Sequence, residues 1–148
     1  MKRVFILILT IFVMSTTVFA AMTSDDKKIA FKNMTDSHAK LHDMCVRAAE
    51  NFRYDHQFAG YLKYRCMMYE SDRNRLMASV YTISSDLTSE DRNNYPIYMS
   101  NLAVKLNDDE FNRYKLIIAE YCKYNAYKFA RKDAGACSAE RLNSLFNN

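Results

Sequence analysis

Four cysteines, Cys45, Cys66, Cys122 and Cys137, are the residues of this sequence best suited to covalent chemistry. No two form a Cys-x-x-Cys pair, so a thioredoxin-type redox centre has no support. What they do depends on the compartment, and the N-terminus bears on that. Lys2 and Arg3 precede an apolar run from Val4 to Val13, and Val18-Phe19-Ala20 places small residues where signal peptidase cuts. We therefore expect residues 1–20 to be a cleaved signal peptide and the mature chain to begin at Ala21. An exported chain meets oxidising conditions, and there four cysteines are expected to close two disulfides. The preferred pairing is sequential, Cys45 with Cys66 and Cys122 with Cys137. Cys45 and Cys66 sit on the core stripes of adjacent helices at similar distances from the intervening turn, so a helical hairpin brings them together.

His38 and His42 are four residues apart on a helix, a spacing that puts two imidazoles on one ion. The local sequence His38-Ala39-Lys40-Leu41-His42 lacks the glutamate of a metalloprotease helix. A third ligand would have to be His56, Asp43 or Met44, and nothing in the sequence converges them. We expect one of the two histidines at the core edge and the other in solvent, and neither metal nor cofactor. The 17 carboxylates and three histidines contain no recognisable Ser-His-Asp arrangement and no marked catalytic acid. No catalytic residue is assigned, and the chain is not read as an enzyme. Arg73 falls on an apolar stripe, where a guanidinium needs acceptors; Glu70 or Glu120 is the expected partner.

The strongest binding signal is tyrosine, eleven in all and every one beyond residue 20. Tyr54, Tyr61, Tyr64 and Met68 make a second stripe on one helix, and Ile117, Tyr121 and Tyr124 do the same on another. Lys63, Arg65, Lys115 and Lys123 are interleaved with them. Tyrosine next to arginine is the chemistry enriched in interface hot spots. We take Tyr54, Tyr61, Tyr64, Met68, Ile117, Tyr121, Tyr124, Arg65 and Lys123 as the partner-binding set.

Helices must position these residues. Phe31, Met34, His38, Leu41, Cys45, Ala48 and Phe52 recur at helical spacing, after a start capped by Ser24 or Asp25. A break near 51–55 leads to a long helix from about His56 to Ser84, with Leu62, Cys66, Tyr69, Arg73, Leu76, Val80, Ile83 and Leu87 facing a core. Thr88-Ser89-Glu90-Asp91 caps a short third helix bearing Tyr95, Met99, Leu102 and Leu106, with Pro96 as a kink or start. Asn107-Asp108-Asp109-Glu110 reads as a capping box that opens a fourth helix to about Phe129, with the stripe Phe111, Tyr114, Ile118, Cys122, Asn125 and Phe129. Lys128, Arg131 and Lys132 suit its C-terminal end, Gly135 a left-handed turn, and Ser138 the cap of a last short helix through Phe146.

The fold class expected is therefore all-α, an antiparallel helical bundle of four or five helices stapled by two disulfides. Residues 21–148 fit one domain, and beyond residue 22 nothing is apolar enough to span a membrane. Two glycines and one proline exclude Gly-rich phosphate-binding loops. The formal charge of +4 falls to about +2 without Lys2 and Arg3, too little to suggest nucleic acid. These features point to a periplasmic protein-binding module, an immunity or inhibitor protein acting on another protein of the cell envelope. A carrier of a hydrophobic or aromatic ligand and a membrane-tethered phage-type lysis regulator are the alternatives.

Overall fold

The computed structural model describes residues 23–83, 88–125, 127 and 135–147, which hold four α-helices and no strand. The expected signal peptide, the helix end at Ser84 to Leu87, and Phe129, Lys128, Arg131 and Lys132 lie outside the described residues. Helix α1 (Ser24–Asn51) is capped by Thr23, one residue before the expected position. The Thr23 hydroxyl accepts from the Asp26 amide at 3.2 Å, and the Asp26 carboxylate accepts from the Thr23 amide at 2.8 Å. The Thr23 amide and hydroxyl, both donating to the Asp26 carboxylate, hold that carboxyl below its usual range.

Along α1 the residues Leu41, Met44, Cys45 and Ala48 are buried, followed by Phe52 just past its end, whereas Phe31 is 62% exposed. That corrects the expected stripe at its first turns. At these first turns the buried residue is Ala30, which shares a cleft with the buried Ile97. Successive helical residues point about 100° apart, so with Ala30 facing inward Phe31 turns to solvent.

The chain breaks at 52–55 as the spacing predicts. Asp55 starts α2 (His56–Ile83) by accepting from the Phe58 amide at 3.0 Å. Phe58, Ala59, Leu62 and Cys66 are buried, while Leu76, expected in the core, is 42% exposed. Helix α3 (Ser89–Asn125) departs most from expectation, because it is one 37-residue helix where two were expected. Thr88 caps it, Pro96 lies inside it, and Asn107 is a buried interior residue instead of a cap.

The reason is tertiary. The Asn107 side chain accepts from the Tyr69 hydroxyl at 2.8 Å and from Arg73 at 3.1 Å, and donates to the Ser37 hydroxyl at 2.9 Å. It joins α1, α2 and α3 through its amide, which gives the group better partners than a local cap. The expected partners of Arg73, Glu70 and Glu120, are replaced by Asn107 and by Asn74 at 3.3 Å.

Helix α4 (Ala139–Phe146) opens at Ser138, whose hydroxyl accepts from the Arg141 amide. Gly135, at φ 123°, makes the turn before it, a conformation that side chains resist. Helix α1 packs on α3 and α2 and carries α4, while α2 and α3 meet more sparingly. One cluster collects buried residues from all four helices, with Tyr114, Ile118, Leu62, Met44 and Phe52 fully enclosed. Both disulfides pair in the expected order, Cys45–Cys66 at 2.11 Å and Cys122–Cys137 at 2.01 Å. Closing loops of this length, each contributes about 3 kcal/mol in the chain-entropy account.

Candidate functional site

Helix α2 rises from its start with Phe58, Leu62 and Cys66 turned to the core, so Tyr61, Tyr64 and Met68 face outward, 44%, 57% and 38% exposed. Where α2 and α3 separate, they leave a groove of about 550 Å³. Tyr61, Tyr64, Met68 and Tyr69 line it from α2, and Leu106, Asp109 and Arg113 from α3.

The polar centre of the groove is a charge pair across the two helices. Arg65 Nη2 lies 2.7 Å from Glu110 Oε1 and donates to Oε2 at 2.9 Å. Glu110 is only 6% exposed, and Arg113 Nε stands 4.0 Å from it on the open side. Burial raises the Glu110 carboxyl against the opposite pull of the two arginines. The close Oε1 contact is not directed along an N–H bond, so this oxygen and the buried Arg65 Nε–H have no hydrogen bond of their own. Tyr69 closes the end of the groove, its hydroxyl pushed up to about 12 chiefly by burial.

Sequence reasoning placed Glu110 in a helix cap and so missed it as a site residue. The signal was present, because 107, 110, 111, 114 and 118 repeat at helical spacing and put Glu110 beside the core stripe.

The second expected stripe is partly absorbed into the core. Tyr121 is half-buried, its ring stacked on Phe58 at 3.5 Å and its hydroxyl donating to Asp55. Burial and the Asp55 carboxylate raise its pKa. Phe58 also stacks on Tyr61 at 6.2 Å, so one line of rings connects the α2 stripe to α3. Ile117 is half-buried against the core cluster, while Tyr124 is 62% exposed with Lys123 Nζ over its ring at 5.1 Å. Tyr54 precedes α2 and therefore leaves the stripe; it is exposed in the 52–55 turn, with Arg53 over its ring. Lys115 folds over Phe111 and Phe146 and shields apolar surface.

On another side of α2, Glu70 Oε1 lies 3.8 Å from His38 Nε2 and 3.6 Å from His42 Nδ1. Sequence spacing selected the histidines but not Glu70, which lies 28 residues beyond His42 and is brought in only by the α1–α2 packing. Desolvation, with the positive charge of Arg73, lowers the His38 pKa. Among the described residues no group of three or more His, Cys, Asp or Glu side chains is placed to hold a metal ion. No described helix is long and apolar enough to cross a membrane. Comparison with protein-family models, with curated proteins and with solved structures finds no match.

Proposed function

We propose that this chain is an exported protein-binding module that holds a protein of the cell envelope in the α2–α3 groove. The immunity or inhibitor class is the concrete form of this reading. The observation that carries it is the groove itself, where Tyr61, Tyr64 and Met68 stand exposed around the ion pair of the half-buried Arg65 with the buried Glu110. Aromatic and methionine side chains offer large contact area, and a partner that excludes water strengthens every polar contact on the floor. Arg113, 66% exposed at the open side of the pair, is the cation that the groove offers to an incoming polar group.

The leader-like residues 1–20 and the two disulfides favour export to an oxidising compartment, with a bacterial periplasm the preferred destination. On this reading residues 21–148 form one antiparallel bundle, and the chain works by binding, without catalysis, cofactor or nucleic acid. The test is capture from envelope extract with the oxidised chain, beside a Tyr61→Ser, Tyr64→Ser variant whose helical circular dichroism is intact. A near-stoichiometric protein retained by the first bait and lost from the second supports the reading. Equal recovery by both baits, or none by either, overturns it. One observation favours the carrier alternative, because about 550 Å³ also suits a small ligand; a small molecule in the native mass spectrum would move the assignment there.

A further inference from the structure

The last three turns of α3 carry apolar surface that the groove does not use. Tyr114, Ile118 and Cys122 turn to the core, so the opposite side of the helix looks outward. At about 100° per residue, Leu116, Ile117, Glu120 and Tyr124 fall within about 100° of one another on that side. Leu116 is 70% exposed, Tyr124 is 62% exposed, and Tyr127, just past the helix end, is 74% exposed. Between them runs a shallow depression of about 650 Å³, lined also by Ala119 and Lys123. Contiguous apolar surface of this kind marks contact with another molecule.

The order of the residues indicates what covers it. A two-fold axis lays a face antiparallel against its own copy. If the whole run from Leu116 to Tyr127 is to cover itself, the axis passes through its midpoint, between 121 and 122. Leu116 then meets Tyr127 of the second copy, one apolar end on the other. In the same register Glu120 meets Lys123 of the second copy, twice over by symmetry. The apolar ends alone fix this register, yet it brings opposite charges together. An axis through 120, by contrast, would oppose Glu120 to itself, and like charges across an interface are costly.

We propose that the outer face of α3, from Leu116 to Tyr127, is a two-fold interface between two copies of this chain, separate from the α2–α3 groove. The run is about 18 Å long and one helix face is about 10 Å wide, a smaller footprint than the roughly 800 Å² per partner of a permanent complex. The dimer is therefore reversible, and its population rises with concentration. Each copy keeps its groove, so pairing yields a particle with two binding sites.

The experiment is sedimentation velocity of the full oxidised chain from about 5 to 500 μM, the range in which an interface of this size dissociates. Leu116→Ser, Glu120→Lys, Lys123→Glu and the groove variant Tyr61→Ser, Tyr64→Ser are run in parallel, after circular dichroism shows that each is folded. The parent chain is expected to pass from monomer to dimer within that range. Leu116→Ser and each charge reversal should weaken association at least tenfold, and the groove variant should match the parent. Mixing Glu120→Lys with Lys123→Glu in equal amounts should restore dimers, because the register then sets two lysines of one copy against two glutamates of the other. A parent that stays monomeric throughout overturns the proposal; a lower melting temperature of Leu116→Ser would then assign the face to another segment of the same chain. Undiminished association in Leu116→Ser overturns it too, as does a mixture that fails to pair or a groove variant that no longer dimerises.

Discussion

Replacing Asn107 with serine separates two physical roles for that residue by magnitude. If Asn107 were an N-cap, serine would serve almost as well, and the change would cost a few tenths of a kcal/mol at most. In the structure Asn107 is 1% exposed and makes three side-chain bonds, to Tyr69, Arg73 and Ser37. The shorter serine side chain cannot span all three helices. Two neutral bonds at about 1 kcal/mol each and one to a guanidinium at about 1.5–3 kcal/mol set the upper scale. Tyr69, Arg73 and Ser37 are only half-buried, so water recovers part of the loss. The expected cost of Asn107→Ser is about 2–4 kcal/mol. Urea unfolding followed by circular dichroism at pH 7 measures it directly, with Asn112→Ser on the exposed face of the same helix as reference. A cost below about 1 kcal/mol, close to what a helix cap contributes, would refute the buried junction and restore the helix boundary there.

Glu110→Gln should change stability in a pH-dependent way. Burial raises the folded-state pKa of Glu110 above its ordinary value of 4.5, so on raising the pH the unfolded chain releases this proton first. The stabilising contribution is full below the ordinary value and is lost as pH rises through the folded one. Unfolding curves of parent and Glu110→Gln from pH 4 to 7 should therefore show the parent's relative stability falling as pH rises; a constant or widening advantage for the parent would contradict the sign. Gly135→Ala should cost about 1–2 kcal/mol, because φ 123° is closed to a side chain even though Ser138 Oγ leaves its Cβ 3.5 Å of room; a melting temperature equal to the parent's would contradict that. Replacing Cys45 and Cys66 together with alanine should cost about 3 kcal/mol by denaturant midpoint, and non-reducing peptide mapping of the parent should recover only Cys45–Cys66 and Cys122–Cys137.

The parts of this fold that were legible in the sequence are those where burial follows helical period. Leu41, Cys45, Ala48 and Phe52, then Leu62 and Cys66, then Phe111, Tyr114, Ile118 and Cys122 are all buried where a 3.6-residue repeat puts them. The Cys45–Cys66 pairing follows from the same stripes, and it leaves Cys122 to Cys137. What was not legible depends on partners distant in the chain. Asn107-Asp108-Asp109-Glu110 satisfies every local rule for a helix start, and only Tyr69, Arg73 and Ser37 convert Asn107 into a core residue. Phe31 has the right type at the right spacing, yet its neighbour Ala30 takes the inward position at that turn. Of the candidate site, Tyr61, Tyr64 and Met68 were visible as a second apolar face. Glu110 was hidden by its resemblance to a cap, and Glu70 by its distance along the chain from His38 and His42.

The groove follows from how the seams between helices are built. The contact of α1 with α3 is the most extensive in the fold, and small buried side chains, Ala30, Ser100 and Ala103, occur on these two helices beside the larger Ile97. Between α2 and α3 the rings of Phe58 and Tyr121 stack closely near the start of α2, but along the groove the contacts are long and polar, Arg65 with Glu110 and then Tyr69 and Arg73 with Asn107. An arginine spanning two helices holds them at arm's length, and tyrosines project past the gap without filling it. The same two polar links fix the width of the groove, because each ends on a buried acceptor of α3. Shortening one, as in Arg65→Ala, would leave Glu110 buried without its nearest cation, a loss that burial makes severe. Stability and binding are therefore coupled at Arg65, and Tyr61 and Tyr64, which carry exposed surface and little of the core, are the positions where they separate.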